Sequence, residues 1–204
     1  MDPAAHWDAI YKNKSPDALS WYRPHLDKSL ALIERAAANR SVSIIDIGGG
    51  EATLVDDLLA RGYQDISVLD ISPTAVAATR RRLGPREWRV TWRVADLMQA
   101  ELPWQHFDVW HDRAVFHFLT TPDQRAAYVR QLVHAVKPGG HVIVATFGPE
   151  GPARCSGLEV VRYDAGTLQG QLGEPFRLME SDTEMHRTPL GVSQQFLYCH
   201  FRRG

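Results

Sequence analysis

From about residue 41 onward, short apolar runs alternate with longer stretches in which apolar positions recur at helical spacing. Five runs rich in β-branched residues have the length of strands, at 42–47, 66–70, 89–94, 107–111 and 141–146. Three amphipathic stretches lie between them, at 53–61, 74–83 and 122–136. This alternation is typical of βα units on a parallel sheet. Because the runs are almost continuously apolar, we expect central strands with helices on both faces.

The two ends of the chain have a different character. A stretch with four aromatic residues (Trp7, Tyr11, Trp21, Tyr22) leads into a predicted amphipathic helix at 26–37. It is too short for a separate domain, so we interpret residues 1–40 as a helical cap or lid. After residue 147 a Gly/Pro-rich loop precedes a predicted helix at 164–172 and two late strands at 176–181 and 195–202.

Composition narrows the class of protein. The 204 residues are 44% apolar with a formal net charge of −1, which argues against a general polyanion binder such as a nucleic-acid protein. Cys155 and Cys199 are too few for a disulfide framework and lack zinc-site spacing, so we expect no metal and a cytoplasmic location. No signal-peptide pattern opens the chain and no apolar run approaches the roughly 20 residues of a membrane span.

A glycine turn follows the first predicted strand. Three glycines, Gly48, Gly49 and Gly50, come directly after Ile44–Ile47, where bare backbone lets a ligand approach closely. Asp70 ends the second strand about 20 residues later, and Asp96 follows the third. Carboxylates at these strand ends suit ribose hydroxyls and an adenine amine, although each is also a possible helix cap.

The nature of the nucleoside cofactor follows from two residues beside the turn. Counted from Gly48, the last glycine of a dinucleotide fingerprint falls on Thr53, so that motif is not matched. Asp46 places a negative charge next to the turn, which repels a pyrophosphate and attracts a cation. The sulfonium and amino group of S-adenosylmethionine fit this pattern.

The ordered motifs resemble those of class I S-adenosylmethionine-dependent methyltransferases. The resemblance covers residues 41–147 and rests on Asp46-x-Gly48-x-Gly50, Asp70, Ala95-Asp96, Phe107-Asp108 and Val136-Lys137-Pro138-Gly139-Gly140. It implies a Rossmann-like, seven-stranded, mostly parallel sheet of order 3-2-1-4-5-7-6. We expect one domain with three parts: a cap (1–40), a cofactor-binding core (41–147), and an acceptor-side loop with the last two strands (148–204). The cofactor-binding candidates are Asp46, Gly48, Gly49, Gly50, Asp70, Ile71, Asp96, Leu97, His111 and Trp21.

Within this family, the N-terminal motif His6-Trp7-Asp8-x-x-Tyr11 and the pair Trp21-Tyr22 are similar to three groups. These are small bacterial methyltransferases, the thiol/thiopurine/tellurite group and the elongation-factor lysine methyltransferases. Trp21 and Tyr22 either form a lid over the cofactor or attach the leading helix to the sheet.

The catalytic candidates are Asp112 and His117, which follow the fourth strand. Asp112 either orients a cationic nucleophile or caps the next helical turn, and His117 is either a general base or a packed core histidine. The turn lacks the prolines of enzymes that methylate nucleic-acid bases or glutamine, which disfavours base methylation. We predict methyl transfer to a small molecule, with protein-lysine methylation and cofactor binding without turnover as alternatives.

Overall fold

Seven strands form one mixed sheet in the computed structural model, which describes residues 2–204. The strands are β1 (Ser43–Ile47), β2 (Asp65–Asp70), β3 (Val90–Val94), β4 (Phe107–Arg113), β5 (Val136–Phe147), β8 (Phe176–Arg187) and β9 (Ser193–Arg203). Their order is β3-β2-β1-β4-β5-β9-β8, in which β9 pairs antiparallel with β5 and β8. Two short strands, β6 (Arg154–Cys155) and β7 (Leu158–Glu159), make a separate hairpin.

Six α-helices accompany the sheet: α1 (Pro3–Asn13), α2 (Asp27–Ala36), α3 (Leu54–Ala60), α4 (Pro73–Leu83), α5 (Pro122–Ala135) and α6 (Ala165–Leu172). Short 3-10 turns occupy Pro16–Ala18, Gly84–Arg89 and Phe116–Phe118. Within residues 2–204, none of the helices is long and apolar enough to cross a membrane.

Each central strand buries side chains on both faces of the sheet. In β1, Ile45 packs with α5 and α6 on one face, while its neighbour Ile44 packs with α2 and α3 on the other. Successive strand residues point to opposite faces, so a strand covered on both sides needs apolar residues at nearly every position. The predicted fold class, a mostly parallel sheet with helices on both faces, is confirmed.

Three element boundaries differ from the sequence prediction. Residues 136–140, predicted to end α5, instead begin β5, because Val136 pairs with Phe107 across an irregularity in the β4–β5 ladder. The last two strands are longer than predicted, since β8 continues to Arg187 and pairs with β9 along most of its length. The β6–β7 hairpin lies in a segment predicted as loop.

One acidic side chain of helix α1 attaches it to the start of α4. Asp8 accepts hydrogen bonds from the Ser72 hydroxyl (2.9 Å) and the Thr74 amide (3.1 Å) at the start of α4. Lys12 pairs with it at 2.7 Å, and these donors hold the pKa of the Asp8 carboxyl well below its usual range. The sequence prediction placed a cap in this segment without identifying α1 as a helix.

We expect Asp8→Ala to loosen α1 while leaving the sheet intact. Loss of hydrogen bonds at a helix start costs about 1 kcal/mol, so amide exchange in α1 should accelerate about fivefold at pH 7. Because the Asp8 pKa is lowered on folding, its contribution is present above the unfolded pKa of about 3.9 and is lost as the pH falls further. Asp17→Ala, in an exposed turn, is the control; equal exchange in both variants would contradict this attachment.

Candidate cofactor and acceptor site

A cavity of about 610 Å³ opens at the carboxyl ends of the parallel strands. This is the edge at which open α/β sheets bind their ligands. Its floor comes from the ends of β1, β2 and β4, and its cover comes from the N-terminal segment and the β6–β7 hairpin. The cavity therefore brings together segments that are far apart in the chain.

The glycine turn after β1 exposes bare backbone to this cavity. Gly48 has φ of +64°, and its amide donates to the Leu69 carbonyl of β2 at 2.7 Å. A Cβ added at Gly48 would collide with Val115, and one at Gly49 would lie 2.7 Å from the Asp46 carboxylate. Side chains are excluded here by close packing as well as by backbone conformation, which leaves room for a ligand against the main chain.

The carboxylate of Asp70 is buried at the end of β2, beside this turn. Burial raises its pKa to about 7, even though the Ser72 amide donates to it at 2.8 Å. A Cβ added at Gly50 would lie 2.7 Å from the Tyr11 hydroxyl and 3.0 Å from Asp70, so both groups converge on this glycine. A buried carboxylate with spare acceptor capacity suits the paired hydroxyl donors of a ribose.

A buried hydrogen-bonded chain joins β1, β4 and α2. Nδ1 of His111 lies 2.7 Å from Asp46, and its Nε2 lies 2.9 Å from the Ser29 hydroxyl. Since a carboxylate only accepts, Nδ1 of His111 donates to Asp46. This arrangement fixes the orientation of His111 at the cavity wall.

Most other predicted cofactor residues also line the cavity. Ile71, Asp96, Leu97 and Trp21 all contribute to its wall, and Asp96 accepts from the Met98 amide at 2.9 Å. Gly50 is the exception, because it lies behind the lining and beneath Tyr11. Of ten predicted cofactor residues, the structure therefore brings nine to one cavity.

The two predicted catalytic residues lie outside the cavity lining. Asp112 is fully buried and accepts from the amides of Val115 and Phe116 at 2.9 and 3.1 Å and from the Tyr128 hydroxyl at 2.8 Å. Burial raises its pKa to about 6. Asp112 thus has the capping geometry that was one of its two predicted roles.

His117 is likewise buried in the core. Its Nδ1 accepts from the Phe147 amide at 3.1 Å, and its ring stacks on Phe147 with centroids 4.5 Å apart. Burial, reinforced by the charge of Arg113, lowers its pKa to about 3. These contacts match the interpretation as a packed histidine, and the structure does not bring His117 to the site where a general base would act.

Among the cavity residues outside the predicted set, three carry polar groups close to the turn or at the end of β4. Tyr11 projects from α1 over the turn, Glu51 follows the last turn glycine, and Arg113 ends β4. The Oε2 atom of Glu51 is buried without a hydrogen-bond partner, and burial raises its pKa. Glu51 could have been predicted as a site residue, because it directly follows the glycine turn. Tyr11 and Arg113 could not, because no spacing in the sequence indicates the direction of their side chains.

Comparisons with known proteins agree with this geometry. Residues 44–140 match the model of a family described as a methyltransferase domain. The mouse eEF1A lysine and N-terminal methyltransferase is 26% identical over 140 residues, or 69% of this chain, but the chain spans only about 20% of that protein's length. An uncharacterized methyltransferase of Mycobacterium tuberculosis is 32% identical over 117 residues, covering 57% of this chain and 56% of its own.

A solved structure shares the fold over nearly the whole chain. It comes from a study of the conversion of a disulfide bond into a thioacetal group during echinomycin biosynthesis. The alignment covers 99% of this chain and 92% of the solved chain, with a TM-score of 0.81 and 20% sequence identity. The glycine turn, the acidic strand ends, the strand order and the matched domain point to the same conclusion. Residues 44–140 form a methyltransferase domain, and the chain has the Rossmann-like fold of class I S-adenosylmethionine-dependent methyltransferases.

Proposed function

We propose that the protein transfers the methyl group of S-adenosylmethionine to a small-molecule acceptor bound in the same cavity. S-adenosylmethionine supplies a methyl group already activated on a sulfonium. The residues present fit this cofactor, because the glycine backbone is bare and Asp46, Asp70 and Asp96 supply acceptors or negative charge along the cavity wall.

In this proposal, Asp70 and Ile71 hold the ribose, and Asp96 and Leu97 hold the adenine. Gly48 and Gly49 bring the backbone against the methionine part, Gly50 supports the turn from behind, and Asp46 supplies negative charge next to the sulfonium. His111 keeps Asp46 oriented through its 2.7 Å contact, and Trp21 covers the cofactor from the N-terminal segment.

The aromatic cover of the cavity is the observation that most supports a small-molecule acceptor. Trp7 contacts Trp21 and Phe118 edge-on, with centroids 5.9 and 4.9 Å apart. Phe147 and Phe196 also line the cavity, and their ring centroids lie 4.8 Å apart. Such a wall fits an apolar acceptor and excludes water from the reacting atoms.

Orientation carries the chemistry in this mechanism. Holding the acceptor in line with the activated methyl lowers the barrier by about 7–11 kcal/mol without a dedicated base, provided that the nucleophile arrives unprotonated. Asp112 and His117 then act as positioning residues: Asp112 caps the turn that carries Val115, and His117 supports Phe147. This role differs from the catalytic one that the sequence predicts for them.

Protein-lysine methylation is the second candidate function. The similarity to the mouse eEF1A lysine and N-terminal methyltransferase favours it, although that match covers about a fifth of the relative. Asp112, the residue that would neutralise an incoming lysine, is fully buried and already accepts three hydrogen bonds. The structure therefore gives this alternative less support than the aromatic cavity gives a small molecule.

The acceptor class is tested with methyl-labelled S-adenosylmethionine and a lysate of the source cells. We expect label in the small-molecule fraction, and much less label with the Asp70→Ala variant at a cofactor concentration near the Kd of the unmodified protein, which controls for contaminating enzymes. Label confined to a protein band would establish the lysine-type alternative. No label in either fraction, despite cofactor binding measured by calorimetry, would favour binding without turnover.

Asp70→Ala should weaken cofactor binding about 10- to 150-fold. The variant removes charge-assisted hydrogen bonds worth roughly 1.5–3 kcal/mol to the ribose. Calorimetric titration with S-adenosylhomocysteine measures the change, with Asp123→Ala on the exposed first turn of α5 as the control. An unchanged affinity would remove Asp70 from the site.

Asp70→Asn should stabilise the free protein at pH 8 while weakening cofactor binding. The folded-state pKa of about 7 lies above the ordinary value of 3.8, so the unfolded chain loses this proton first and stability falls as the pH rises from 3.8 to about 7. An amide of the same shape avoids this loss, which is about 1.4 kcal/mol per pH unit across that interval. Thermal unfolding should show a gain at pH 8 that shrinks toward pH 4; a gain independent of pH would contradict the explanation.

A further inference from the structure

Arg113 is a buried cation at the wall of the cavity. It ends β4, is only 9% exposed and lines the cavity together with Phe147 of β5 and Phe196 of β9. A guanidinium stays protonated in proteins, so its charge persists wherever it is buried. The surroundings of this charge therefore indicate what the cavity is built to receive.

The guanidinium has neutral partners on most sides. Nε donates to the Tyr198 hydroxyl and Nη1 to the Trp21 carbonyl, both at 3.0 Å, while the central carbon lies 4.4 Å from the centre of the Phe196 ring. Nη2 is buried and has no hydrogen-bond partner in the described part of the chain, residues 2–204. These contacts fix the orientation of the group and leave one of its nitrogens unsatisfied.

Among residues 2–204, no carboxylate forms an ion pair with Arg113. Glu184 approaches through the Tyr198 hydroxyl, which donates to it at 3.3 Å, but Glu184 already pairs with Arg23 at 2.8 Å. Asp112, the preceding residue, directs its carboxylate to Tyr128 and to the amides that it caps. The desolvation of the cation is thus not offset by a negative charge in the protein itself.

We propose that Arg113 binds an anionic group of carboxylate size on the methyl acceptor. The acceptor would combine this group with a flat apolar body that packs against Phe196 and Trp21. This inference rests on the proposed small-molecule function and narrows its substrate class to aromatic or similarly apolar acids. Arg113 is then a specificity-determining residue.

The carboxylate of the cofactor is the other possible source of this anion. In the sheet, β1 carries the glycine turn, and β4 and β5 separate it from β9. Arg113 packs against Tyr198 and Phe196 of β9, on the side of β4 away from Asp70 and Asp96. This position favours the acceptor as the source of the anion. The second titration described below distinguishes the two sources.

The test compares aromatic acids with their uncharged amides. Benzoate and indole-3-acetate are titrated against benzamide and indole-3-acetamide, with the protein saturated by S-adenosylhomocysteine. We expect at least one acid to bind about 10- to 150-fold more tightly than its amide, as for a charge-assisted hydrogen bond. If no acid binds better than its amide, the proposal is overturned.

Arg113→Gln should abolish this preference, whereas Arg130→Gln should retain it because Arg130 is exposed on α5 and lies outside the cavity lining. The comparison of acid and amide on the unmodified protein remains decisive if Arg113→Gln does not fold. Binding in the presence of S-adenosylhomocysteine needs no methyl transfer, so this result is independent of the labelling assay that tests the proposed function.

A second titration identifies the source of the anion. S-adenosylhomocysteine carries a carboxylate, and 5′-methylthioadenosine lacks it. If Arg113 serves the acceptor, Arg113→Gln leaves the affinity for both unchanged. Weaker binding of S-adenosylhomocysteine alone would assign Arg113 to the cofactor and overturn the acceptor proposal.

Discussion

The left-handed backbone at Gly48 is the constraint on which the rest of the site depends. It lets the chain leave β1 while its amide donates to Leu69 of β2, so the ends of the two strands stay side by side. The same absence of a side chain lets Val115, after β4, close over the turn. Asp46 and Asp70 consequently face one cavity although 24 residues separate them in sequence. Any larger residue at this position would separate the three strand ends that form the cavity floor.

The sheet could be predicted well because its physical causes are local. Continuous apolar runs report burial on both faces, and Ile44 and Ile45 show this directly by packing on opposite sides. The start of β5 was predicted less well, because Lys137-Pro138-Gly139-Gly140 is the usual ending of a helix. Pairing of Val136 with Phe107 outweighs that local preference, and such pairing is invisible in a window of neighbouring residues.

The grouping of the proposed cofactor residues in one cavity was easier to predict than the arrangement beyond β4 for a similar reason. The proposed cofactor residues lie at strand ends, where topology alone brings them together. The acceptor end depends on side-chain direction after β4, where successive residues diverge: Asp112 turns inward to Tyr128, whereas Arg113 turns to the cavity. The sequence indicated that the segment after β4 reaches the cavity, but not which of its residues would line it. The aromatic cover could not be predicted for the same reason, because Trp7 and Phe118 come into contact only through tertiary packing.

Burial of Asp70 would also couple the proposed cofactor binding to proton exchange. Because burial raises its pKa to about 7, this carboxyl group retains a proton in part of the free molecules near neutral pH. A ligand whose hydroxyls donate to the ionised form expels the remaining proton, so each binding event releases a fraction of a proton to the solvent. The heat of binding then includes the ionisation enthalpy of whichever buffer takes up that proton. If Asp70 binds the cofactor as proposed, cofactor occupancy therefore depends on ambient acidity close to neutrality.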